Sequence, residues 1–249
     1  MATAAAKRVT QEKLTARSRE HLFFWGMSLL LALVFFIGFA KTYFLAGYFH
    51  ARPLAAPIVH VHAAVFTIWI VLLVAQASLA ASGNVRIHRR LGLAGLAVAP
   101  AMIVLGVLVA IEMVGRMTPI LGRERALVIF AVALSEITGF AGPVLSAFAL
   151  RRRPAYHKRL ILVGTIAMTT AGFGRWPVHV LLHNPLPAMI CMIGLLGLVA
   201  SYDLLSLRKV HPATLLGGAW VIAIELVSMP LSHTTAWAGF ASGVQGIAL

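Results

Sequence analysis

The chain has only seven Asp and Glu against 21 Lys and Arg, and a single cysteine in 249 residues. One cysteine excludes an intramolecular disulfide, and Cys191 lies inside an apolar run, where a small buried side chain is its plain role. Charged residues of both signs together make up only 11% of the chain. With 60% hydrophobic residues and a mean hydropathy of +0.91, the composition is too apolar for a water-soluble domain of this size. Three motifs are missing as well. There is no G-x-x-x-x-G-K-[ST] loop, which removes the usual nucleotide cradle, and no C-x-x-C-H, so any haem would be non-covalent. The last long apolar run has no lysine, which removes a retinal Schiff base of the rhodopsin type.

What remains is long apolar runs. A span of the hydrocarbon core needs about 20 apolar residues in which every backbone amide is satisfied internally, and barrel strands would alternate apolar and polar residues, which these runs do not. The sequence therefore predicts an all-α polytopic membrane bundle of about seven transmembrane helices: Phe23 to Leu45, Pro57 to Ala81, Leu91 to Val114, Ala126 to Leu150, Leu160 to Leu182, Pro187 to Leu207 and Ala213 to Leu231. Residues 1–20 form a basic segment and 21–235 a single transmembrane domain. The stretch 236–249 is a short apolar tail that lies along the outer surface or extends helix seven. The first apolar run is too long for a cleaved signal peptide and is expected to be retained.

The basic residues sit between the runs. This placement argues against nucleic acid, despite a net charge of +14, and for a bilayer with anionic headgroups. With the N-terminus inside, fifteen of the 21 Lys and Arg fall on the cytoplasmic side and the rest, Lys41, Arg52, Arg116, Arg123, Arg125 and Arg175, outside. The expected topology is N-in, C-out in a bacterial cytoplasmic membrane, alone, as a homo-oligomer or with a membrane-protein partner. A weak repeat marks the cytoplasmic starts of the odd-numbered helices with His21, His88, His157 and His211. Two of these share the pattern His88-Arg-Arg-Leu and His157-Lys-Arg-Leu, which suggests duplicated hairpins.

The other six histidines, His50, His60, His62, His179, His183 and His233, gather at the outer ends of helices, and imidazole is the commonest transition-metal ligand. His179 and His183 stand i, i+4 and would share a face if helix five continues that far, whereas His60 and His62, two apart, point to opposite sides. The plainer reading is that interfacial histidines bond headgroups, carbonyls or water. Intramembrane charges are costly and carry more information. They are Glu112, Glu136, Arg175, Asp203 and Glu225, with Glu136 and Glu225 near mid-bilayer and Glu112 and Arg175 in the outer third. Arg175 needs Glu112, Glu136 or an acidic ligand as partner, or serves only in an Arg–Glu pair that fixes helix packing. Glu225 and His233 share a face if helix seven stays helical past Pro230. The five tryptophans read as interface or packing aromatics, and the glycines at 92, 95, 139, 142, 172 and 174 as close-packing positions.

His60-Val-His62, Phe66-Thr67, Trp69, Gln76, His88-Arg-Arg-Leu-Gly92, Arg152-Arg153-Pro154 to His157-Lys-Arg-Leu160 and Tyr202-Asp203 to His211-Pro212 together resemble a group of uncharacterised bacterial multi-pass inner-membrane proteins. The His-Arg-Arg-Leu and His-Lys-Arg-Leu elements are also similar to those of small membrane proteins linked to haem-copper oxidase assembly, a resemblance that implies redox or metal work.

The expectation these readings give is a redox or metal-handling membrane protein. Haem b, copper or iron would bind outside through His60, His62, His179, His183 and His233, with Arg175 holding an anionic group and Glu136 or Glu225 serving proton transfer. One rival is a small-solute transporter or channel in which Glu136, Glu225 and Asp203, with Glu112, line a polar path. The other is an assembly subunit without chemistry of its own.

Overall fold

Alanines and straight-chain charged residues, with no Gly or Pro before Gly26, let the first helix begin well upstream of its apolar stretch. The computed structural model describes residues 2–51, 56–181 and 185–248, and the side chains of 18–51, 56–181 and 185–244. In it α1 runs Ala2–Phe39 and closes in a π-helical turn, Ala40–Phe44. Then follow α2 (Pro57–Ala81), α3 (Val85–Leu121), α4 (Arg123–Ala149), α5 (Pro154–Ala167), α6 (Thr169–Phe173), α7 (Pro185–Leu207), α8 (Pro212–Ser232) and α9 (Thr235–Ala248), with no strand among the described residues. Three of the long helices open on proline, whose missing N–H costs nothing in a first turn, and Asn84 caps α3 by accepting from the Ile87 N–H.

Six helices are long and apolar enough to cross a membrane: the stretch Ser18–Phe44, then α2, α3, α4, α7 and α8. Their outward surfaces carry bare Leu93, Val104, Leu205 and Leu216, which water would penalise and lipid tails accept. The expected fifth span is the exception. Leu160 to Leu182 is not one helix: α5 stops at Met168, whose N–H turns back to the Thr165 carbonyl at 3.3 Å, and α6 adds only five residues. Pro177 then denies the backbone an N–H and pushes Trp176 out of helical space, so the chain turns rather than continues. The apolar tail is also a helix of its own. Thr234 Oγ1 accepts from the Trp237 N–H to start α9, which packs against α3 and α4.

α4 is the central helix, packed against α3, α5 and α8. Glycines set how closely its neighbours approach, as where Gly142 takes the indole of Trp220 and Gly139 meets Ala167. The tryptophans do more than pack, because all five indole N–H groups donate across to another element. Trp25 reaches Ser78 Oγ, Trp69 reaches Thr165 Oγ1, and Trp176, Trp220 and Trp237 reach the carbonyls of Val34, Thr138 and Leu127. In a medium without water each bond removes an orphan donor and pins a helix pair.

The histidine repeat has a structural use as well. His88 Nδ1 lies 3.2 Å from the Gln76 carbonyl of α2, and His157 Nδ1 lies 2.9 Å from the Ala147 carbonyl of α4. Each ring thus ties the start of one helix to the helix before it, giving α2–α3 and α4–α5 the same clasp. His211 acts differently, accepting from the Ala213 N–H with Nδ1 to cap α8. Burial first, and then the nearby Arg159 charge, hold its pKa below the ordinary imidazole value, which keeps that nitrogen free to accept.

Candidate functional site

The break between α5 and α6 puts three threonines in the interior: Thr165, Thr169 and Thr170 are all buried. Thr165 and Thr169 satisfy their hydroxyls on the carbonyls of Ile161 and Ile166, as threonines in apolar helices do. Thr170 instead donates to Glu136 Oε1 on α4 at 2.5 Å. Glu225 on α8 faces Glu136 closely enough for the two carboxyls to repel, with Ser135 beside Glu225, and Glu225 Oε1 is buried without a hydrogen-bond partner. Two carboxyl groups thus stand within electrostatic reach of each other on α4 and α8, with Thr170 of α6 bonded to one of them.

Arg175 follows α6 by one short turn and turns back toward this pair. Its Nη1 donates to the Ala171 carbonyl at 2.7 Å, and its guanidinium lies 4.8 Å from the centre of the Phe39 ring on α1. Its charge acts on Glu136 and on His62 of α2, but it forms no ion pair among the described residues. His62 is half-buried, its Nδ1 has no hydrogen-bond partner, and its ring lies 6.3 Å from Phe66. Arg175 is exposed and Glu136 half-buried. The assembled groups are two carboxyls, one guanidinium without an ion pair among the described residues, one imidazole and a hydroxyl. Such a set can exchange protons and bind a small charged solute, and at membrane depth it is expensive enough to need a reason.

The remaining expected site residues lie elsewhere. His60 is exposed in the first turn of α2, 6.1 Å from the Tyr43 ring, turned away from His62 as their spacing requires. His179 sits in the turn after Pro177 and not on a helix, so the i, i+4 face proposed for it with His183 does not form there; His183 itself lies outside the described residues. His233 follows the last residue of α8 and stands 3.8 Å from Glu124, both exposed, rather than sharing a face with Glu225. Among the described residues no three His, Cys, Asp or Glu come close enough to hold a metal ion. Glu112 is taken by Arg116 one turn along its own helix, at 3.2 Å, rather than by Arg175.

Asp203 is a correction to the polar path. It is fully buried and paired with the equally buried Arg159, which donates to Oδ1 from Nε at 2.9 Å and from Nη2 at 2.6 Å. Oδ2 accepts from Thr214 Oγ1 at 2.6 Å and from the His211 N–H at 3.1 Å. With every lone pair directed at a donor, Asp203 joins α5, α7 and α8 and has no capacity left for a moving ion. Beside it Lys158 pairs with Glu20 of α1, and Phe23 stacks on Tyr202 at 3.9 Å. Sequence reading missed Thr170, Ser135 and the role of Arg159. The signal for Arg159 was present: it starts the fifth run where Asp203 ends the sixth, so adjacent antiparallel runs put them at one depth.

No family model, no curated protein and no solved structure matches this chain.

Proposed function

We propose that this is a multi-pass membrane transport protein that moves a small solute together with a proton, with Glu136, Glu225 and Arg175 as its working groups. The observation that carries this reading is the meeting of two carboxyls from α4 and α8 beside an unpaired arginine at a helix break. Transporters commonly bind their cargo at interrupted helices near mid-bilayer, where freed backbone groups and ionisable side chains line a cavity. The spread of His60, His62, His179 and His233 weighs for transport over haem or copper and iron chemistry.

The same reading sets the topology. α7 ends beside the start of α5, through Asp203 and Arg159, which supports a chain that crosses and returns between them, with α5 and α6 together as a seventh, discontinuous crossing. An odd number of crossings would separate the termini, and the excess of basic residues around α1, α5 and the α2–α3 and α7–α8 turns supports an N-terminus on the inner side of a bacterial cytoplasmic membrane.

The test is proton movement in proteoliposomes with a trapped pH dye, challenged in turn with carboxylates, amines, sugars, amino acids and divalent cations. One class is expected to drive proton flux in the wild type, with Glu136→Gln and Glu225→Gln both reduced to the level of empty vesicles and His60→Ala unaffected. Failure of every class, or full flux in both carboxyl variants, would overturn the assignment.

A further inference from the structure

We infer that the solute is a small organic acid with an apolar body, its carboxylate held by Arg175 and His62, and that Glu136 takes up a proton from solvent as the anion binds. This rests on the transport reading above and names its substrate class.

The donors come first. A guanidinium offers five N–H groups in a planar fork, and Arg175 commits one, from Nη1 to Ala171. The Nε and Nη2 edge is left uncommitted among the described residues, and that edge matches the two oxygens of a carboxylate. His62, near enough to feel the Arg175 charge, contributes a buried ring nitrogen with no partner. An unmet polar atom in a buried place is expensive unless something fills its need, and a ligand oxygen does so when the nitrogen is protonated.

The walls come next. Phe39 lies under the guanidinium, Phe66 lies 6.3 Å from His62, and those two rings are 6.4 Å apart. A charged head is therefore met by Arg175 and His62 while the space beside it is aromatic, which suits an aliphatic or aromatic acid and disfavours a sugar or a hydrated phosphate.

Charge balance supplies the coupling. The charged and titratable groups facing Arg175 are His62 from α2 and Glu136 from α4, and those facing Glu136 are Arg175 and Glu225 from α8. The single positive charge of Arg175 can be matched by an ionised Glu136 or by a bound carboxylate. Both together leave an unmatched negative charge in a low-dielectric place. Anion binding and a proton on Glu136 therefore come together, with Thr170 free to turn its hydroxyl as Glu136 changes from acceptor to donor.

The experiment is calorimetric titration of benzoate into the full chain in lipid nanodiscs between pH 8 and 10, where Glu136 of the free protein is ionised. The wild type should bind with an affinity that falls by about tenfold per pH unit, the slope for one proton taken up per anion. Arg175→Gln should weaken binding by about tenfold or more and Arg175→Lys by less, because the lysine keeps the charge and loses the fork. Glu136→Gln should bind benzoate with no pH slope, while Arg116→Gln should match the wild type. A slope that persists in Glu136→Gln means that the neutral acid enters or that another group takes up the proton, and either overturns the proposal, as does unchanged binding in Arg175→Gln. If an amine, a sugar or a cation drives proton flux in the vesicle assay and benzoate does not bind, the transport reading stands and this substrate class falls. If nothing drives flux, both fall.

Discussion

Asp203→Ala is expected to be the most destabilising single side-chain truncation in the bundle. Removing the carboxylate leaves the Arg159 guanidinium, 1% exposed, with a single carbonyl partner at Ala155, and it strips an acceptor from Thr214 and from the His211 N–H as well. Breaking a buried pair by deleting one partner costs about 3–5 kcal/mol, because the surviving charge keeps its desolvation penalty and loses its compensation. Thermal unfolding in mild detergent should show a large loss of midpoint for Asp203→Ala and for Arg159→Ala. The double replacement Arg159→Met with Asp203→Leu should recover most of it, since two apolar groups of similar volume carry no such penalty. A near-neutral Asp203→Ala would mean that the pair is wetter than its burial implies. If the double variant were no better than the single, the hydrogen bonds to Thr214 and His211 would outweigh the charge.

A second large effect is expected from one methyl group. A Cβ on Gly38 would sit 2.4 Å from the Gly172 carbonyl oxygen and 2.9 Å from its Cα, all of it backbone that no rotamer can move aside. α1 and α6 touch there because both positions are glycine, and the crossing holds the short helix that carries Thr170. Gly38→Ala must push the two apart, at a cost of about 1–3 kcal/mol as overpacking usually demands. The displacement also draws Thr170 away from Glu136, so proton-coupled flux should fall even where the variant still folds. Gly194 on α7 is the contrast, since a Cβ there meets nothing within 4 Å, and Gly194→Ala should be neutral or stabilise by up to about 1 kcal/mol. Equal midpoints for the two variants would contradict the packing account.

Hydropathy made the long spans legible because the bilayer imposes one dominant cost, and α2, α4, α7 and α8 begin and end within a few residues of their apolar runs. It stopped short of both ends of α3, Val85–Leu121, and was blind in two further places for two physical reasons. The start of α1 is polar, so nothing in its hydropathy betrays a helix that only propensity supports. The α5–α6 break rests on threonines and glycines that are apolar enough to leave a hydropathy average unchanged, although Pro177 did mark where helical spacing of His179 had to end. Among the intramembrane charges, Glu136 and Glu225 were readable as deep. Glu112 with Arg116 was legible too, as an i, i+4 pair on one helix, whereas shared depth made Asp203 and Arg159 candidates for each other without fixing the pair, because pairing between helices depends on rotation and neighbour choice.

The histidines illustrate the same limit. Their clustering toward one end suggested ligands, yet His88, His157 and His211 on the opposite end carry clear structural work as clasps and a cap, and among the described residues His62 alone of the outer group faces the interior charges. A count of residues by side of the membrane cannot separate these roles. Their hydrogen bonds can.

The bundle holds two kinds of intramembrane carboxyl, one locked and one free to exchange protons. A hydrophobic carbodiimide, which enters the bilayer and modifies carboxyl groups able to take a proton, reads that difference directly when the protein is labelled in liposomes and mapped by mass spectrometry. Modification at Glu225, whose Oε1 has no partner, and at Glu136, with Asp203 unlabelled behind its four hydrogen bonds, is the predicted result. Labelling of Asp203 with Glu136 and Glu225 both untouched would contradict it.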